Sequence, residues 1–220
     1  MGLRWIRLML TRLHISSFIG LTIAVWLVAL WIQGTPVLSM SFLKPFGIVV
    51  GAISVVVTLF NKYAWAWSIF RGWYVNRPDM RGTWEVELRS SWINPGTGEG
   101  IAPITAYAVI RQTLGSLSFR LMTPESRSIL IAHSIEHEQD GLFKLACIYR
   151  NEPRIDLQGV KSAIHHGAFT LEIHGSPVES LEGHYWTDRQ TTGTMRLFNR
   201  KHQLYDSFEK AKSAYGENIT

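Results

Sequence analysis

The sequence predicts a membrane-anchored all-β protein: two N-terminal transmembrane helices, an eight-stranded antiparallel up-and-down β-barrel, and a short C-terminal helix. Three observations predict it. Charged residues make up only 18% of the 220-residue chain, against about 25% in ordinary globular proteins, and between Ile15 and Phe60 the only charge is Lys44. Beyond Pro78, apolar and polar residues alternate at the two-residue period of a strand. Clusters of Gly, Pro, Asn and Asp interrupt that alternation at short intervals, as turns do.

At the N-terminus, Arg4, Arg7, Arg12 and His14 precede an uncharged run from Ile15 to Ile32. At 1.5 Å per residue this run comes close to crossing a ~30 Å hydrocarbon core. Gln33-Gly34-Thr35-Pro36 ends it. A second apolar run, Phe46 to Phe60, is short alone but is lengthened by Phe42 and Leu43 before Lys44 and by the Tyr63–Trp67 aromatics after it, because a lysine can snorkel. A cleaved signal peptide competes for the first run, yet the run is longer than a roughly 7–15-residue signal core and no small-x-small site follows. Two buried core helices compete for both runs, yet both are apolar on all sides.

Lys62, Arg71, Arg77 and Arg81 follow the second run, while Gln33 to Ser41 carries no charge. The positive-inside rule then predicts a multi-pass protein with both termini and the barrel cytoplasmic. Trp65, Trp67, Trp73 and Tyr74 suit an interfacial aromatic belt. The sole cysteine, Cys147, would sit in a reducing compartment and pack as a small hydrophobe. Pro78 marks the boundary, giving an anchor over 1–77 and a ligand-sensing domain over 78–220.

Alternation predicts strands over roughly Gly82–Ser91, Pro103–Gln112, Ser116–Thr123, Arg127–His137, Gly141–Arg150, His165–His174, Ser180–Asp188 and Thr192–Arg200. Turn signals such as Asn94-Pro95-Gly96-Thr97-Gly98, Gln139-Asp140-Gly141, Gly175-Ser176-Pro177 and Thr192-Gly193 punctuate them. Asn151 to Ile164 is a longer connection, suited to covering an opening. His202 to Tyr215 reads as a helix with Leu204, Phe208 and Ala211 on one side. Closing the meander into a barrel removes its exposed edges and leaves room for one small ligand; a two-sheet sandwich is the runner-up. Gly82-x-Trp84 at the first strand favours the barrel, since it resembles the start of lipocalin-like barrels, where the indole plugs one end.

Alternation also sorts faces, though not which face is inside. Leu181, Gly183, Tyr185, Thr187 and Arg189 share one face; Leu145, Cys147 and Tyr149 share another. On the third strand Ser116, Ser118 and Arg120 oppose Leu117, Phe119 and Leu121, and Ser126 and Ser128 alternate at the start of the fourth. An inward Arg with Tyr, Ser and Thr would make an anionic-ligand site. The same alternation also fits an outward, solvated set.

Catalytic signatures are thin, so no enzyme, cofactor or metal site is expected. His133-x-x-x-His137 shares a strand face without a third ligand, and His165-His166, His174 and His184 lack partners at metal spacing. Gly96-x-Gly98-x-Gly100 precedes no helix and is no dinucleotide fingerprint. A net charge of +5 and a pI near 9.5 reflect in part the basic collar, and no long Lys/Arg run points to polymeric nucleic acid.

The whole chain resembles the two-transmembrane, β-strand-rich effectors of bacterial CBASS anti-phage systems, the CD-NTase-associated membrane-anchored barrels. The resemblance rests on Pro78-Asp79-Met80-Arg81-Gly82-Thr83-Trp84, Ile110-Arg111-Gln112-Thr113, Ser126-Arg127-Ser128 and Tyr149-Arg150-Asn151-Glu152-Pro153. His166-Gly167 and Leu181 to Arg189 with Gly193 complete it. It implies a cyclic dinucleotide second messenger made by a partner CD-NTase, bound in the barrel. It further implies self-association and disruption of the lipid bilayer at the bacterial inner membrane. The ligand contacts it implies are Gln112, Ser126, Ser128, Tyr149, Tyr185, Thr187 and Arg189. Because such a ligand has two phosphates, Arg120 is expected to add compensating charge beside Arg189. Cys147 stands where the family pattern has a second tyrosine. The spacing Gly47-x-x-x-Gly51 permits close helix packing in an assembly. A membrane-tethered lipocalin-like carrier of a lipid or other small anionic ligand is the alternative; a plain scaffold or a hydrolase ranks below it.

Overall fold

Eight strands form where the alternation places them: β1 (Gly82–Ser90), β2 (Ile104–Gln112), β3 (Leu117–Met122), β4 (Ser126–His137), β5 (Phe143–Pro153), β6 (His165–His174), β7 (Ser180–Thr187) and β8 (Thr192–Lys201). Each pairs antiparallel with the next, and β8 returns to β1, so the sheet closes into an up-and-down barrel. The sandwich is thereby excluded. The structure, a computed structural model, describes residues 2–34, 45–93, 96–159 and 162–216, and the side chains of 2–16 are not among the described ones. Asn94 and Pro95 of the expected first turn, most of the uncharged 33–41 loop, and the side chains of Arg4, Arg7, Arg12 and His14 lie outside the described residues.

Closure buries the apolar member of each alternating pair. Val86, Ile110, Leu145, Leu171, Leu181 and Leu197 are fully buried, and Phe119 and Phe169 meet across the interior with ring centroids 4.9 Å apart. Each such side chain stabilises the fold by about 1.5–3 kcal/mol. One barrel end is shut by Trp84, which is fully buried. Its Nε1–H donates to Met80 O at 2.9 Å, and the Arg200 guanidinium lies 5.4 Å above the ring. Arg200 also donates to Arg81 O and Asp79 O. Gly82 is required here, because at φ +138° a Cβ would run into Lys201 O. The indole plug expected from Gly82-x-Trp84 is present.

The C-terminal helix α3 (Phe208–Gly216) is shorter than its expected range. Ala211 and Tyr215 bury against Tyr107, Val109 and Met122 on the outside of the barrel. Leu204 precedes the helix and is exposed.

The chain divides into two compact units. One comprises Met1–Arg77 with Thr113–Gly115, the other Pro78–Gln112 with Ser116–Thr220. In the first, α1 (Gly2–Ile32) and α2 (Phe46–Lys62) pack through Ala29, Val49 and Ile53, flanked by Val25 and Trp26. The helices do not meet the membrane expectation. α2 has 17 residues, about 26 Å of helix, short of a ~30 Å hydrocarbon core. Among the described residues no helix is long and apolar enough to cross a membrane. That finding overturns the two transmembrane helices and, with them, the multi-pass inner-membrane localisation with cytoplasmic termini.

Candidate functional site

The other end of the barrel is open, where β1, β3, β5 and β7 end. A cavity of about 590 Å³ opens there, within the ~300–1,000 Å³ range of small-ligand sites. Part of its wall is apolar, formed by Leu88, Phe119, Leu121, Phe169 and Met195. The rest includes Ser126, Ser128, Tyr149, Tyr185, Thr187 and Arg189. Six of the eight residues expected from sequence therefore converge on one cavity.

The ladder explains the convergence. Cys147, Phe169, Tyr185 and Gly193 form one row across β5 to β8; Tyr149, Gly167 and Thr187 form the next row toward the opening. Ser128, Asn151 and His165 form the row above that. Inward positions of β5 read Leu145, Cys147, Tyr149, Asn151 and Pro153, so Cys147 and Tyr149 share the inner face. Gly167 and Gly193 oppose the two tyrosines directly. A Cβ at Gly167 would collide with Tyr149 Oη, and one at Gly193 with the Tyr185 ring.

Arg189 stands at the mouth. Its Nη1–H donates to Ser162 Oγ at 3.2 Å and its Nη2–H to Ala163 O at 2.7 Å. Both acceptors are neutral, and among the described residues no ion pair joins Arg189, so its charge is available to an anion. These bonds tie it to the long connection after β5, whose Leu157 and Ser162 line the cavity, as expected of a segment covering an opening. Thr187 Oγ1 accepts the Arg189 and Thr191 amides within the β7–β8 turn. Ser126 caps the β3–β4 turn with Thr123.

Burial pushes the Tyr149 phenol up to about 12, with Tyr185 and Asp188 adding to it. It therefore keeps its proton at neutral pH and can donate a hydrogen bond. Burial lowers His165 below the usual histidine value, and the Arg189 charge adds to that, against a backbone bond to Ala163; the imidazole is neutral at pH 7.

Gln112 and Arg120 do not join the cavity. Gln112 sits at the shut end, accepting from Met80 N at 3.0 Å and donating to Pro78 O at 2.9 Å, which consumes both ends of its amide. Arg120 points outward, because the apolar interior takes Leu117, Phe119 and Leu121 and leaves the alternate face of β3 to solvent. Sequence reasoning missed Asn151, Ser162 and His165. Asn151 escaped because β5 continues to Pro153, beyond the Arg150 end expected for it; its pairing with Ser128 is the missing signal.

Residues 75–199 match the family described as Cap15, cyclic dinucleotide receptor domain. The chain belongs to the Cap15 cyclic dinucleotide receptor family. It is 27% identical over 191 residues to CD-NTase-associated protein 15 of Yersinia aleksiciae, covering 86% of this chain and 85% of that protein. It is 29% identical over 147 residues to CD-NTase-associated protein 15 of Staphylococcus schleiferi, covering 66% of this chain and 74% of that one. The resemblance to CBASS effectors holds, and the chain is a cyclic nucleotide sensor of that kind. Cap15 is a receptor family rather than a catalytic one. The matched segment contains every strand except the last two residues of β8.

Proposed function

We propose that the barrel cavity binds a cyclic dinucleotide made by a partner nucleotidyltransferase, and that occupancy drives self-association of the chain and disruption of a lipid bilayer. The carrying observation is the convergence of Tyr149, Tyr185, Thr187 and Arg189 on one cavity open at a single end. In this reading the tyrosine faces stack on the bases, Arg189 compensates a phosphate at the mouth, and Ser126 and Thr187 offer hydroxyl groups. Gln112 and Arg120 are left out. The names of the two relatives support a nucleotidyltransferase as the source of the ligand. For self-association, Gly47 and Gly51 have nothing among the described residues within 4 Å of where a Cβ would stand, which leaves that face of α2 free for a helix of another copy.

Calorimetric titration of the full chain with a panel of cyclic dinucleotides tests the binding step. Binding is expected, and Arg189→Ala weakens it roughly 10–100-fold, as loss of a charged hydrogen bond does. A panel without a single binder refutes the sensor assignment for this cavity. Ligand-dependent dye release from lipid vesicles tests the output; binding without release removes bilayer disruption and leaves sensing. The apolar part of the cavity wall favours one second reading, a small lipid with an anionic head at Arg189. Fatty-acid binding that excludes cyclic dinucleotides would establish that reading instead.

A further inference from the structure

Asn151 and Ser128 form a buried polar pair in the cavity wall, 8% and 7% exposed. They are register partners on β5 and β4, and Ser128 Oγ–H donates to Asn151 Oδ1 at 2.9 Å. That bond orients the amide: the oxygen faces Ser128, and the NH₂ group, without an acceptor among the described residues, is left to the cavity that both side chains line. An amide locked in this way offers donors and seeks an acceptor.

The neighbours indicate which part of a ligand arrives there. Asn151 stands one inward step above Tyr149, toward the opening. The Tyr149 ring lies against Gly167 and lines the cavity, so a base stacked on it meets the next inward residues with its edge. A phosphate is better served at the exposed mouth by the Arg189 charge than by a neutral, buried amide.

We propose that Asn151, oriented by Ser128, is the base-reading residue of this receptor. It selects a nucleobase presenting a carbonyl oxygen, such as uracil or guanine, over one presenting an amino group at that edge. The inference rests on the cavity being the cyclic dinucleotide site. A site built to donate a hydrogen bond rejects a ligand that also donates, because two donors are then left unpaired in a dry place.

The test uses the full chain and a matched pair of probes, cyclic di-UMP and cyclic di-CMP, which differ at the carbonyl or amino edge. The wild type binds cyclic di-UMP about tenfold or more tightly. The isosteric Asn151→Leu brings the two affinities within roughly threefold of each other. Ser128→Ala frees the amide to turn over and lowers the ratio as well, which decides the question even if the leucine variant fails to fold. Equal affinities in the wild type, a ratio unchanged in both variants, or an equal loss for both ligands on Asn151→Leu would each overturn the inference and leave cyclic dinucleotide sensing intact. Absence of binding by either probe, when other cyclic dinucleotides of the panel bind, also overturns it. Absence of binding across the whole panel removes the sensor reading as well.

Discussion

Tyr149 lies against Gly167 across the β5–β6 ladder, and Tyr185 against Gly193 across β7–β8. A side chain at either glycine has nowhere to go, since a Cβ at Gly167 also meets Trp186 O and one at Gly193 meets Arg89 O. Gly167→Ala is therefore expected to destabilise the fold by about 1–3 kcal/mol, as overpacking does. It is also expected to weaken ligand binding by pushing the phenol into the cavity. Urea denaturation and calorimetry on the same variant check both; unchanged stability and affinity would contradict the packing argument. Cys147 gives a second prediction at this scale. Burial pushes its thiol from an ordinary value near 9 up to about 12. Because only the thiolate reacts, labelling of the native protein at pH 8 should be slowed on the order of a thousandfold relative to the unfolded chain. Fast labelling without denaturant would show that the barrel opens locally at β5.

The shut end of the barrel behaves as one element. Burial of Asp79 raises its carboxyl, but hydrogen bonds and charge from Arg81, with the charge of Arg200, outweigh that and hold it below the usual value. A depressed carboxyl contributes stability above its unfolded pKa, and that contribution is lost as pH falls through the folded value. Asp79→Asn should therefore destabilise the protein at pH 7, and the gap to the wild type should narrow in thermal melts below about pH 4. A gap independent of pH would assign the effect to shape rather than charge. The elements differ in how far the sequence exposed them. Strands were legible because a barrel buries every second residue, so the pattern in Leu181 to Thr187 is written directly in the chain. Arg120 was misplaced because either face of β3 satisfies alternation, and only closure of the barrel, which buries Leu117, Phe119 and Leu121, decides between them. Asn151 was lost because the strand runs on past Arg150 with charged residues on its outer face, a run that looks like a loop. The helices misled for another reason: an uncharged run gives composition, whereas α2 as folded ends at Lys62 after 17 residues.

At the scale of the whole molecule, the cavity proposed as the ligand site lies wholly within the unit formed by Pro78–Gln112 and Ser116–Thr220. Its walls come from strands all around the barrel, so an occupant touches segments that are distant in sequence and joined only by the closed sheet. Ligand that binds the folded state alone stabilises it by RT ln(1 + [L]/Kd), about 2.7 kcal/mol at a hundred times Kd. For a domain of roughly 140 residues that corresponds to a rise in Tm of roughly 8 °C. The rise should appear with cyclic dinucleotide, grow with the logarithm of its concentration, and shrink in Arg189→Ala at the same concentration. Thr187→Ala, which removes the acceptor of the Arg189 amide, should lower it less, since the lost bond is a neutral one. Fluorimetric melts of the full chain measure all three. A Tm that stays fixed while calorimetry records binding would mean that the ligand binds folded and unfolded chain alike, or sits outside the barrel, and neither fits a cavity assembled from a closed eight-stranded sheet.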